Sequence, residues 1–237
     1  MKILAIDTSG PVCGVAVMKD GAIVHEAAAI NKMTHSVNLL PMIDTALQAS
    51  GIASVAELDR IACVVGPGSF TGVRIGVSTV KGLAHAHGTL CVPVNALEAM
   101  AAGAGEFAGV ICPIQDARAG QVYGAAFSGG NVRPERLMHD APLKLEEYVD
   151  TIRSFGDRFL FVGDGMPVHR ARLQALLGDA AVFAQPQLAF LRPASVAYLA
   201  SLAEEKDTVD YLSLEPLYLR APNAALNKKL TEAARHE

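Results

Sequence analysis

Gly66-Pro67-Gly68-Ser69-Phe70-Thr71-Gly72-Val73-Arg74-Ile75-Gly76 joins two apolar segments of different kinds. Upstream, Ile61 to Val65 is wholly apolar, the pattern of a strand buried on both faces. Downstream, the chain to about His87 reads as a helix that stops at Gly88. Three glycines and a proline at this strand-to-helix junction fix an unusual backbone path. Two readings of Gly66, Gly68, Ser69, Thr71 and Gly72 stay open: backbone N–H groups offered to a phosphate at a helix start, or close strand–helix packing. A Walker A loop is excluded, because no Gly-Lys-Ser/Thr is present.

Working outward, Ile3 to Ile6 is a short strand ending in Asp7-Thr8-Ser9-Gly10. Cys13 to Met18 and Ala22 to Ala28 follow, joined by a hairpin signal at Asp20-Gly21. Three antiparallel strands therefore open the chain. Ser36 to Ser50 reads as a helix closed by Gly51, and Ser54-x-x-Glu57 as a capping box. Leu90 to Val94 is another strand, and Asn95 caps the helix after it. Gly103-Ala104-Gly105-Glu106 is the candidate boundary between a first lobe, 1–104, and a second, 105–220.

The second half restarts with strand Val110 to Ile114, a polar turn at Gln115-Asp116-Ala117-Arg118, and strand Val122 to Phe127. An extended segment near Leu137, a helix from Leu145 to Phe155 and strand Phe159 to Val162 follow. Helices near Val168–Leu177 and Ala194–Glu204 complete the body, the latter expected to pack back on the first lobe. Both halves read as strand, polar turn, strand, strand, helix, strand. The expectation is a two-lobed α/β protein with mixed sheets flanked by helices, and a flexible tail over 221–237.

Composition agrees with that class. The 237 residues correspond to roughly 1.6 domains at about 150 residues each. Hydrophobic residues make up 51% and charged residues 19%, which excludes a disordered or coiled-coil chain. Twenty-four acids against twenty bases leave −4, the wrong sign for an autonomous nucleic-acid binder. Cys13, Cys63, Cys91 and Cys112 sit singly in apolar runs, as buried cytosolic thiols do. No apolar run approaches the ~18 residues of a membrane span, and the expected setting is the cytoplasm.

Asp7-Thr8-Ser9 has two readings: a magnesium–phosphate site through carboxylate and backbone N–H groups, or an Asx/ST turn satisfying itself. The helix after the glycine loop is tested by angle. At 100° per residue, Arg74, Ser78, Lys81 and His85 share a stripe of about 60°, and Val73, Val77 and Val80 lie in the apolar remainder. In the helix from Ser36, Leu39, Leu40, Met42, Ile43 and Leu47 contribute to an apolar arc of about 180°. A single core face needs about 100°, so both helices are expected to carry a partner interface. The alternative is that both are sandwiched inside the fold. No Gly-x-Ser-x-Gly elbow, His-Glu-x-x-His or clustered carboxylate pair appears.

The two-lobed pattern resembles the actin/sugar-kinase/Hsp70 fold, and residues 66–76 resemble the bacterial TsaB family, also called YeaZ. Further matches are Ile6-Asp7-Thr8-Ser9, His35-Ser36-x-x-Leu39-Leu40-Pro41, Asp116-Ala117-Arg118 before Val122-Tyr123, and Pro216-x-Tyr218-Leu219-Arg220. The resemblance implies the machinery that makes N6-threonylcarbamoyladenosine (t6A) in tRNAs reading ANN codons. There TsaB is a non-catalytic partner of its paralogue TsaD, which holds the metal and transfers the threonylcarbamoyl group; TsaE joins the pair. It also implies a contact, with TsaD or as a homodimer, through a bundle of the helices at about 36–50 and 72–87, with tRNA reached only through the complex. No cofactor is expected on the chain alone; ATP or ADP with magnesium would enter only in the complex. The paralogue's His-x-x-x-His pair is missing here, and Asp116-Ala117-Arg118 stands where catalytic members of the fold carry Asp followed by Gly. A stand-alone sugar- or acid-kinase-like phosphotransferase is the competing expectation.

Overall fold

The computed structural model describes residues 1–30, 34–130 and 132–220. The tail expected to be flexible, 221–237, lies outside the described residues. The chain opens with antiparallel strands β1 (Lys2–Asp7), β2 (Cys13–Lys19) and β3 (Ala22–Ala29). Asp20 and Gly21 turn β2 into β3 with φ of 51° and 83°, the left-handed pair that a two-residue hairpin loop needs. Helix α1 (His35–Ala49) leads to β4 (Arg60–Gly66), parallel to β1. Helix α2 (Phe70–His85) leads to β5 (Leu90–Asn95), parallel to β4, and α3 (Ala96–Ala104) follows.

The second half repeats this plan. Strands β6 (Val110–Arg118), β7 (Gln121–Ser128) and β8 (Arg136–Lys144) are antiparallel. Then come α4 (Leu145–Ile152), β9 (Phe159–Val162), α5 (Gly165–Leu177), β10 (Ala181–Phe183) and α6 (Pro193–Leu202), with β9 parallel to β6 and β10 to β9. The sheet orders are β3-β2-β1-β4-β5 and β8-β7-β6-β9-β10, the same topology twice.

Layering follows from strand alternation. In β1, Leu4 and Ile6 face α1 and α2, while Ile3 and Ala5 face the opposite core; in β4, Ile61 and Cys63 alternate with Ala62 and Val64 in the same way. Strands buried on both faces must be apolar throughout, as these are. The layers run α1/α2, first sheet, α3/α6, second sheet, α4/α5. Helix α6 follows the second sheet in sequence but packs on β1 and β2, where Ala5 and Ala16 leave room. The two sheets thus share a central core.

Two local expectations are corrected, and two features are added. The strand β6 continues through Gln115 to Arg118, and the turn falls one step later at Ala119-Gly120, with φ of 51° and 71°. Ser54 starts a single 3-10 turn, Val55–Glu57, without capping it through its side chain. Glu57 instead accepts from Ala53 N at 2.9 Å and from Lys2 Nζ at 2.6 Å. Beyond α6, Val209 pairs with Cys91 on the β5 edge, and the segment to Arg220 crosses the outside of α2 as a strap whose Leu214 is fully buried. The sequence patterns indicated neither this strap nor β10.

Arg60 ties β4 to the end of α6: its Nη1 donates to Ala200 O at 3.0 Å and Ala203 O at 2.7 Å. Arg60→Ala removes both charge-assisted bonds, and urea unfolding should show a loss of about 1–3 kcal/mol.

Candidate functional site

A cleft of about 480 Å³ lies between the lobes. One wall is the glycine loop and the start of α2; the other is the end of β6 with Asp164; the strap residues Leu217–Arg220 close one side.

The loop wall is set by close backbone approach. A Cβ on Gly68 would lie 2.3 Å from Ser9 O, and one on Gly72 would lie 2.0 Å from Thr8 O. At Gly66 it would meet Leu217 O at 2.5 Å. Hydrogen bonds hold the same groups: Ser69 N donates to Ser9 O at 2.7 Å, Thr8 Oγ1 to Gly72 O at 2.7 Å, and Leu217 N to Val65 O at 2.7 Å. Ser69 caps α2, its hydroxyl accepting from Gly72 N at 3.3 Å. The glycines are therefore occupied by the chain's own backbone, and the packing reading accounts for Gly66, Gly68 and Gly72. Thr71 is exposed at the cleft, in the first turn of α2.

Asp7 is committed as well. Its Oδ1 accepts from Ser9 N at 2.8 Å and Ser9 Oγ at 2.7 Å, the geometry of an Asx turn. Burial nevertheless pushes its carboxyl up to about 6, against the Ser9 bonds and the nearby His35. His35 Nε2 lies 3.0 Å from Gly10 O and so holds the turn from α1. Gly68 and Gly72 thus abut the chain's own carbonyls, and Asp7 serves its own turn.

The opposite wall is acidic. Burial, with the charges of Asp116 and Asp7, pushes Asp164 up to about 7 although backbone N–H groups at 164 and 165 oppose it. Asp164 Oδ1 and Gln115 Oε1 have no hydrogen-bond partner among the described residues. Asp116 Oδ1 accepts from Arg118 N at 3.0 Å, with His169 Nε2 at 3.6 Å. Among the described residues no three His, Cys, Asp or Glu side chains group as a metal site. The cysteines are buried and free, and desolvation raises Cys13 and Cys91 to about 11, so they stay thiols.

Of the ten candidate interface residues, Leu39, Ile43, Leu47, Val73, Val77 and Val80 are buried in the chain's own core beneath α1 and α2. Met42 and Lys81 are half-buried, while Leu40 and Arg74 are exposed. The polar stripe of α2 lies under the strap: Arg74 Nε donates to Tyr218 Oη at 2.8 Å, Lys81 Nζ to Leu212 O at 3.0 Å, and His85 meets Tyr211 edge-on. Arg74 also stacks over Phe70 at 3.9 Å. The sequence singled out neither Gln115 nor Asp164 as site residues. The available signal was Gly163-Asp164-Gly165 at the end of β9, the counterpart of Gly66 at the end of β4.

Two five-stranded mixed sheets of repeated topology, with a cleft between them, define a two-lobed α/β protein. A family model described as TsaD, tRNA N6-adenosine threonylcarbamoyltransferase, matches residues 21–228. The tRNA threonylcarbamoyladenosine biosynthesis protein TsaB of Bacillus subtilis is 33% identical over 94% of this chain and 96% of its own. Its Escherichia coli counterpart is 35% identical over 70% of this chain and 72% of its own. YeaZ from Pseudomonas aeruginosa superposes with a TM-score of 0.77 at 26% identity, covering 92% of this chain and 99% of that one. The chain belongs to the TsaB (YeaZ) family. No helix among the described residues is long and apolar enough to cross a membrane.

Gly72→Ala places a methyl group against Thr8 O, a backbone atom fixed at both ends. Thermal or urea unfolding should show a loss of about 1–3 kcal/mol, the range of core overpacking. Asp164 makes a separate, pH-dependent contribution. Its carboxyl is raised in the folded chain, so from about pH 4 to about pH 7 the unfolded chain has released a proton that the folded chain retains, and stability falls as pH rises. Asp164→Asn should flatten the decline of the urea midpoint across that window; an unchanged slope would contradict the assignment.

Proposed function

We propose that this chain acts in tRNA threonylcarbamoyladenosine biosynthesis as a non-catalytic subunit that binds TsaD and positions it with TsaE. The observation that carries the reading is a near-full-length match, at 33% identity, to a TsaB protein named for that pathway, joined to a match with the TsaD family model. The site supports the division of labour. Its glycine loop and Asp7 are spent on internal packing, and Arg118, at φ 64°, stands at the second strand's turn. A nucleotide with magnesium would then need groups supplied by a partner.

The docking face in this reading is the outer side of α1 with the neighbouring edge of α2. Val37 and Leu40 are exposed on α1 and Leu83 is half-buried on the edge of α2 beside it, with the six buried candidates forming the rigid layer below; Met42 lies on the other flank of α1 and Arg74 on the strap side of α2. Buried apolar anchors contribute most to such contacts when they are central and desolvated.

This changes which substitution tests the face. Asp at Val77 or Val80 would place a charge in the chain's own core and unfold it. Leu40, at 52% exposure, is the discriminating site. Leu40→Asp should leave a folded chain and abolish co-elution with the co-expressed TsaD paralogue on gel filtration; unchanged co-elution refutes the docking face. Calorimetry of the purified chain with Mg-ATP decides the competing phosphotransferase reading, which micromolar binding without a partner would favour.

A further inference from the structure

We propose that the cleft between the lobes binds an organic cation, an ammonium or guanidinium head group seated against Asp164, Asp116 and Gln115. The proposal goes beyond the docking role and does not depend on it.

The first observation is the imbalance of hydrogen-bonding groups on the cleft's second wall. Asp164 and Asp116 bring carboxylates into one concavity with the Gln115 carboxamide. The second observation is independent of the charge. Gln115 is only 3% exposed, lines the cleft, and leaves its Oε1 without a partner. A buried acceptor left unpaired costs about 1–3 kcal/mol, and Asp164 Oδ1 is a further one. Both atoms are closed to solvent in the free chain, so a multidentate donor pairs with them once the two side chains turn toward the cleft. Ammonium offers three N–H donors and guanidinium five, each with a positive charge opposite to that of an ionised carboxylate.

The surroundings restrict the occupant. The donor set does not group as a metal site among the described residues. Charged and titratable groups facing the position are Asp7 from β1, Asp116 and Arg118 from β6, Tyr123 from β7, His169 from α5 and Arg220 from the strap. Arg118 and Arg220 line the same cleft, so the bound charge must sit on the Asp164 side, away from them. Tyr123 and Tyr218 supply aromatic wall for the stem or the cation itself. Asp164 retains its proton up to about pH 7 in the free chain. Cation binding should therefore release that proton, and affinity should rise with pH.

Calorimetry of the full chain tests this with n-butylammonium and n-butylguanidinium, and with short blocked peptides carrying one lysine or one arginine. The expected result is binding in the millimolar range or tighter at pH 8, weakening by about tenfold per unit below pH 7. Asp164→Asn should weaken it at least about tenfold, and Asp116→Asn, at a half-exposed position, gives a second readout should the first variant fold poorly. Binding of the small amines identifies a free metabolite-like cation as sufficient. Binding of the peptides alone also supports the site and assigns it to a partner's basic side chain. No binding of any probe at millimolar concentration overturns the proposal, as does binding unaffected by both variants. Equal or tighter binding of magnesium alone with the same proton release overturns it in favour of a metal site.

Discussion

The approach of the glycine loop to the Thr8–Ser9 backbone is the constraint on which the first lobe's edge depends. Carbonyl oxygens of residues 8 and 9 occupy the space that Cβ atoms at positions 72 and 68 would take. The nearest atoms at both positions are backbone carbonyl oxygens, so no rotamer change can relieve an intrusion. The consequence spreads in three directions. It seats the first turn of α2 on the end of β1, fixes the Asx turn of Asp7, and sets Gly66 where Leu217 of the strap can pass. The cleft's first wall is thus one backbone-packed unit.

The second wall is governed by electrostatics, and magnitudes decide its character. Two hydrogen bonds from Ser9 would ordinarily lower a carboxyl, yet Asp7 rises because burial outweighs them. At Asp164 the helix N-terminus of α5 and nearby backbone N–H groups act in the same lowering sense. Desolvation wins again, reinforced by two like charges. A packed, self-satisfied wall therefore faces one on which Asp164 Oδ1 and Gln115 Oε1 lack partners among the described residues.

Much of this architecture was legible in the residues. The strands around Ile3–Ile6, Ile61–Val65 and Phe159–Val162 are apolar at every position because sheets covered on both faces bury both sides. The repeated order of elements followed from that pattern and from turn chemistry at Asp20-Gly21. What stayed hidden depends on distant contacts. Periodicity shows that Val73, Val77 and Val80 need cover but not what provides it; the sheet below and the strap across α2 do. The strap has almost no periodic signal, since its hold comes from scattered contacts: the bridge at Val209, buried Leu214, Leu217 N on Val65 O, Lys81 on Leu212 O and the Arg74–Tyr218–Phe70 stack. Gln115 and Asp164 meet only when two strand ends are brought together, so no local spacing could pair them.

The repeat itself explains why the site is asymmetric. β1 and β6 hold the same position in their sheets, and each runs into a polar end: Asp7-Thr8-Ser9 in one, Gln115-Asp116-Ala117 in the other. In the first lobe a glycine loop from the following strand–helix junction fills the space beside that end. In the second, the corresponding junction at Gly163-Asp164-Gly165 is shorter, and Gly165 approaches the backbone at Gln115 and Asp116 with Asp164 left at the cleft. One topology thus yields a closed end and an open one, and the difference lies in a few junction residues. Shared fold leaves the chemistry undetermined; the contents of the two junctions determine it.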